Sequence, residues 1–211
     1  MNIKTVLFDL DGTLIDTNEL IIASFDYTFK QFDLSFTREE LIEFNGPSLS
    51  ETFFAINPER VEEMIQTYRE FNISNHDDYV KIFPNVIETV EQLRNAGIQM
   101  GIVTTKGRKV VEMGLSLTKL TPYFETVITL DDVVHPKPHP EPVMKAMQQL
   151  SGEVSSTLMV GDNYHDIEAG HNAGIETAGV AWSYKGEDFL ATYNPTYMLK
   201  DMKDLLKIVG V

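Results

Sequence analysis

Thr5-Val6-Leu7-Phe8-Asp9-Leu10-Asp11-Gly12-Thr13 is the stretch that decides how this chain folds. Its first four residues form a short apolar run of the kind buried on both faces of a parallel sheet. Asp9 and Asp11 come next, one residue apart. On an extended backbone alternate side chains leave by the same face, so the two carboxylates converge. Gly12 permits a tight turn and brings backbone N–H groups toward the same place. Two acids that close repel one another unless a cation or distinct tasks separate them. The pattern points to Mg2+, with one carboxylate as nucleophile and the other as proton shuttle. The plainer alternative is an Asp-Gly turn whose acids face water.

Working outward, residues 100–104, 126–130, 157–160 and 176–180 read as further buried strands. Helical patterns at 85–96, 109–117, 140–150 and 165–173 lie between them. Such alternation predicts an α/β fold with a parallel sheet and helices on both faces. Gly97 and Gly174 stand just past two of those helices, where a left-handed residue ends the last turn. Residues 197–199 suit an edge strand and 201–209 a final helix. Residues 17–80 break the rhythm with consecutive helices at 19–32, 37–44, 50–56 and 58–71. Thr37 and Glu40 form a capping-box pattern. Phe25, Phe29 and Phe32 recur at helical spacing, as a packing core does. This block reads as a lid hinged near Asp16-Thr17 and Tyr79–Pro84, over the carboxyl ends of the strands, where ligands of open α/β sheets sit. Its Asn45-Gly46-Pro47-Ser48 turn interrupts the helices and is the loop expected to face the site; a plain interhelical turn is the other reading.

Composition narrows the partners. The chain has 211 residues, 43% of them hydrophobic, and no cysteine, which excludes disulfides, zinc-thiolate sites and thiol catalysis. No stretch approaches the roughly 20 apolar residues of a membrane span, and Met1-Asn2-Ile3-Lys4 lacks the features of a signal peptide, so a cytoplasmic protein is expected. A formal net charge of −15 argues against nucleic-acid or anionic-membrane partners. An anionic substrate would then depend on a bound divalent metal and a few placed cations.

Three more strand ends supply such groups. Thr104-Thr105-Lys106 offers hydroxyls, backbone N–H groups and a cation. Lys137 stands in His135-Pro136-Lys137-Pro138-His139-Pro140-Glu141-Pro142, where flanking prolines restrict the backbone and fix where the lysine points. Asp162 and Asp166 come after the run at 158–160, four residues apart and on one face of a helix that starts there; Asp162 also suits an N-cap. Together these parts fit phosphoryl transfer. Asp9 would attack phosphorus, and Asp11 would protonate the leaving group and later activate water. Mg2+ would bridge Asp9, Asp162 and the backbone carbonyl of Asp11. Thr104, Thr105 and Lys137 would bind the transferring group, and Asp166 would support the metal shell or orient Lys137. With carboxylates available for a hard ion, the five histidines are not expected to hold a transition metal.

These residues, in this order, resemble the haloacid dehalogenase superfamily of Asp-nucleophile phosphatases. The resemblance spans the chain and implies a Rossmann-like parallel sheet core, residues 1–15 and 81–211, with an inserted α-helical cap, residues 16–80. Further segments, DLDGTLIDTNELIIAS from Asp9, GPSL from Gly46, GIVTTK from Gly101, GLSLTKL from Gly114, TLDDV from Thr129 and MVGDNYHD from Met159, look like those of bacterial pyrophosphatases within the superfamily. That likeness implies Mg2+-dependent hydrolysis of inorganic pyrophosphate to two phosphates. Phosphoglycolate phosphatase and a β-phosphoglucomutase-like phosphomutase share the catalytic residues and stay open as alternatives. The cap carries four basic residues (Lys30, Arg38, Arg60, Arg69) against fourteen acidic ones between Asp16 and Asp78, poor provision for the second phosphate of a phosphosugar. Oligomeric state is not legible.

Overall fold

The computed structural model describes residues 3–211; Met1 and Asn2, assigned to the core from sequence, lie outside the described residues. In chain order the elements are β1 (Thr5–Phe8), β2 (Ile15–Asp16), α1 (Asn18–Gln31), α2 (Arg38–Glu43), α3 (Leu49–Ile56) and α4 (Val61–Tyr79). Next are β3 (Lys81–Ile82), α5 (Val86–Asn95), β4 (Gln99–Val103), α6 (Arg108–Leu117), β5 (Thr126–Ile128) and α7 (Glu141–Leu150). The chain closes with β6 (Thr157–Gly161), α8 (Tyr164–Asn172), β7 (Glu176–Val180), α9 (Glu187–Ala191), β8 (Tyr197–Leu199) and α10 (Asp204–Val209).

Six strands form one parallel sheet in the order β5-β4-β1-β6-β7-β8, as the α/β reading predicts. β1 lies at its centre and is buried along its whole length, which is why that segment is apolar at every position but Thr5. Alternate residues serve opposite faces. Val6 and Phe8 join a core with Val86, Val90 and Leu93 of α5 and Leu205 of α10. Leu7 joins another with Val143, Ala146 and Met147 of α7 and Ala169 of α8. A third cluster binds the helical block, where Phe25 packs on Phe29, Phe44, Phe53 and Tyr68 at centroid separations of 4.8–5.8 Å. Burying each such side chain contributes about 1.5–3 kcal/mol. Among the described residues no helix is long and apolar enough to cross a membrane.

The sequence pattern shows neither the β2–β3 pair nor α9. β2 and β3 are an antiparallel pair, Ile15 beside Ile82 and Asp16 beside Lys81, that ties together the two ends of the helical block. Most predicted boundaries hold to within a residue or two, with two clear corrections. The final helix starts at Asp204 rather than residue 201, because Asp204 caps the preceding turn through the backbone N–H groups of Lys200 and Asp201. The fourth helix of the block begins at Val61 and continues to Tyr79, eight residues past the predicted end at Phe71. Asn72-Ile73-Ser74-Asn75 is a weak helix former, but tertiary contacts override it. Asn72 is buried and donates to Ser24 Oγ at 3.1 Å across to α1, and His76 is buried as well.

The order of the sheet determines where a ligand can bind. β1 is flanked by β4 on one side and β6 on the other, so the chain reverses its direction of winding beside β1. That is the crevice at which open α/β sheets place their ligands. Asp9, Thr104 and Asp162 each come directly after the last residue of β1, β4 and β6 in turn. Gly12 makes their approach feasible: its φ is +79°, and a β-carbon there would lie 2.2 Å from Asp162 Oδ2. Gly97 has the same φ with nothing within 4 Å of its would-be β-carbon, so it isolates backbone strain from crowding. Gly97→Ala should cost about 1–2 kcal/mol, the penalty of left-handed backbone alone. Gly12→Ala should cost clearly more in a denaturant titration. Equal costs would mean that the fit against Asp162 is loose.

Candidate active site

At the end of β1, Asp9 is buried, and its Oδ1 accepts a 2.6 Å hydrogen bond from Lys137 Nζ. The same ammonium donates to Asp166 Oδ1 at 2.5 Å and to the Val103 carbonyl at 2.8 Å. A lysine has three N–H donors, and all three are used. The proline-rich loop is pinned to make this possible. Glu141 accepts from the backbone of Val134 and His135 at 2.9 and 3.0 Å, and Asn172 Nδ2 donates to the Pro138 carbonyl at 3.0 Å. Burial alone would lower the lysine's pKa, but Asp166 and Asp9 outweigh it and raise it above the ordinary value. Lys137 is therefore permanently charged.

Asp166 is a bridge rather than a free ligand. Its second oxygen accepts from the Asn163 backbone at 3.0 Å, in a capping box that starts α8. The N-cap is therefore Asn163 and not Asp162, the alternative that the spacing left open. Asp162 is released to face the cavity. Its carboxylate pairs with no side-chain cation among the described residues, although it is only 5% exposed. One oxygen from each of Asp9, Asp162 and Asp166 lies within 4.8 Å of the other two.

Electrostatics reflect that crowding. Burial, with Asp166 and Asp11 adding repulsion against the pull of Lys137, pushes Asp9 up to about 7. Asp162 rises well above the usual carboxylate range, first from burial and then from Asp9 and Asp166. Three carboxylates face one ammonium. A donor set of hard oxygens with surplus negative charge and an unpaired buried carboxylate fits a small hard divalent cation. No histidine belongs to this cluster. His165 beside it is held neutral, pushed down to about 4 chiefly by burial.

The Asp11 side chain points elsewhere. Its Oδ1 accepts from Lys106 Nζ at 2.5 Å and from Thr17 Oγ1 at 2.6 Å. The two acids of the opening motif thus have separate cation partners, Lys137 and Lys106. Sequence reasoning marks Lys106 as a cation at the site but gives it no partner and no role. Its charge was visible in Thr104-Thr105-Lys106, but not its partner 95 residues away. Thr104 is buried, and its hydroxyl accepts from the Lys106 backbone at 3.2 Å, shaping the loop after β4. Thr104 and Thr105 line a cavity of about 360 Å³ together with Asp9, Asp11, Lys137 and Asp162.

The helical block supplies the opposite wall. Asn45, Gly46 and Pro47 line the cavity, as expected of that loop. Gly46 has φ +130°, and a β-carbon there would meet Asn163 Nδ2 at 2.7 Å. Asn163 Nδ2 donates to the Asn45 carbonyl at 3.2 Å, so the block touches the core one residue from Asp162. The rest of that wall is mainly apolar, with Ile21, Phe25, Phe44, Leu49 and Tyr68 facing the acids.

Known proteins resemble this chain in sequence and fold. The family model of haloacid dehalogenase-like hydrolases matches residues 6–180. A protein of Anoxybacillus flavithermus named pyrophosphatase PpaX is 58% identical over 100% of this chain and 99% of its own length. A pyrophosphatase PpaX of Oceanobacillus iheyensis is 53% identical over 100% and 98%. The structure of a haloacid dehalogenase-like family hydrolase from Streptococcus pneumoniae superposes with a TM-score of 0.86 at 24% identity, covering 98% of each chain, a likeness of fold alone. With its sheet order and a family match that runs from β1 to the end of β7, the chain belongs to the haloacid dehalogenase-like hydrolases.

Proposed function

We propose that the protein hydrolyses inorganic pyrophosphate to two phosphates, with Mg2+, through a phosphorylated Asp9. The observation that carries this is the pairing of the two motif acids with different lysines. Asp9 is held on Lys137 inside the acidic cluster, and Asp11 is held on Lys106 and Thr17 at its edge. That separation supports a nucleophile's task for Asp9 and proton transfer for Asp11.

Asp9, Asp162 and the backbone carbonyl of Asp11 would hold Mg2+, which would supply charge neutralisation for the phosphoryl oxygens. Asp9 attacks phosphorus, an Asp9 O–P bond forms, and the bond to the leaving phosphate breaks. Lys137 keeps Asp9 in place, while Thr104 and Thr105 bind the transferring group. Asp11 gives a proton to the leaving oxygen, then takes one from the water that cleaves the acyl phosphate and restores Asp9. Residues 16–80 act as a cap and residues 1–15 with 81–211 as the catalytic core. The choice of pyrophosphate is supported by the relatives named pyrophosphatase. In a substrate panel, pyrophosphate should lead phosphoglycolate and hexose phosphates in kcat/KM, and chelator should abolish turnover until Mg2+ is restored. A preference for phosphoglycolate would move the substrate, and undiminished turnover in chelator would remove the metal.

The metal also has a signature in stability. Asp9 titrates near 7 in the fold against 3.8 when free, so the folded state binds the extra proton. A carboxyl raised in this way contributes stability in full below the unfolded value and loses it as pH rises through the folded one. Mg2+ replaces that proton. Its stabilising effect on Tm should therefore be larger at about pH 8 than at about pH 6, measured by calorimetry with and without Mg2+. A Mg2+ effect that shrinks with rising pH would contradict the ligand assignment.

The two tasks of Asp11 separate because phosphate is a good leaving group, with a second pKa of about 6–7, while water still needs a base, whose help is worth about 10²–10⁴-fold. Asp11→Asn should slow hydrolysis of the phosphorylated Asp9 more than its formation. A covalent mass gain on Asp9 should build up with pyrophosphate and Mg2+, and Asp9→Asn should show none. Slow turnover of Asp11→Asn without any adduct would overturn this division of tasks.

A further inference from the structure

Five cationic side chains line the catalytic cavity, and three are already committed. Lys137 is bound to Asp9 and Asp166, Lys106 to Asp11, and Arg108 to Asp132. The other two are Arg69 on α4 and Lys109 on α6. Both are exposed, and neither has a carboxylate within 4.0 Å among the described residues. In a chain with 32 acidic and 17 basic residues, a cation facing a cavity without an acid partner is available for an anion. Arg69 is also the one charged group that the helical block adds to a wall otherwise built from residues such as Phe25, Phe44, Leu49 and Tyr68.

Pyrophosphate divides into two phosphoryl groups. The one attacked is served by Asp9, Lys137, Thr104 and the metal site. The other departs carrying negative charge, and an apolar wall would make that costly unless a cation receives it. We propose that Arg69 and Lys109 form the subsite for this departing phosphoryl group. The proposal rests on the pyrophosphatase reading and extends it to the residues that select the leaving group. Arg offers a planar fork that grips two phosphate oxygens at once, and Lys offers a point charge beside it. One comes from the block and the other from the core, where α4 packs on α6. The subsite is complete only with the block seated on the core. The same two side chains also line a second recess, which Glu62 and Glu70 share without pairing with either.

The test compares pyrophosphate with p-nitrophenyl phosphate, whose leaving group has no second phosphoryl, using the full chain with Mg2+. Arg69→Gln and Lys109→Gln should each lower the ratio of kcat/KM for pyrophosphate to that for p-nitrophenyl phosphate by about tenfold, the size expected for one lost hydrogen bond to a charged group. The loss should appear mainly in KM, and the double variant should lose more. Arg94→Gln, a cation outside the cavity, should leave the ratio where it is. If the wild type hydrolyses pyrophosphate and both variants keep the ratio within about twofold, the subsite is wrong and the activity stands. If Arg94→Gln lowers the ratio as far as Arg69→Gln does, net charge is responsible and the subsite is again wrong. A wild type that turns over p-nitrophenyl phosphate but not pyrophosphate overturns the pyrophosphatase reading itself, and the subsite with it.

Discussion

Lys137 is held by Asp9, Asp166 and the Val103 carbonyl, all buried with it. A buried ammonium or carboxylate by itself is too costly to keep, and removing one partner of such a cluster leaves the others uncompensated, at a cost of several kcal/mol. Much of the architecture serves this one contact. Four prolines and Glu141 hold the lysine loop, the start of α8 holds Asp166, and central β1 holds Asp9. The fold in this way supports a concentration of negative charge that no surface site could sustain.

That concentration is incomplete by design. One ammonium does not balance three carboxylates, and among the described residues Asp162 is left with burial but no cation of its own. The remaining imbalance is what makes the cluster receptive to a divalent ion. The separate Asp11–Lys106 pair lies outside it and is tied to the block through Thr17. Two carboxylates that start as near neighbours in sequence end in two electrostatic environments, one dry and crowded, the other partly open.

Much of this was legible in the sequence, for identifiable reasons. Apolar runs, glycine stops and the 3.6-residue period reveal the sheet and its helices, because burial imposes those patterns directly. Asp9, Thr104, Lys137, Asp162 and Asp166 announced themselves by standing just after such runs or inside a rigid proline frame. What stayed hidden depends on long-range pairing. The partner of Lys106 lies across the site, β2 and β3 are too short to carry a period, and the last two turns of α4 rest on Asn72 and His76 being buried against other elements. None of these leaves a local trace.

The short β2–β3 ribbon has a consequence for how the molecule can vary. It brings Asp16 next to Lys81, so the chain leaves the sheet and returns to it at one point. The cost of closing a loop grows only slowly with its length, and here the closure is made by the ribbon itself. Between those two residues the segment can lengthen, shrink or be exchanged while the strand ends, and the acids on them, keep their places. The helical block and the strand ends that hold the acids are in that sense separately heritable, with the boundary between them two residue pairs wide.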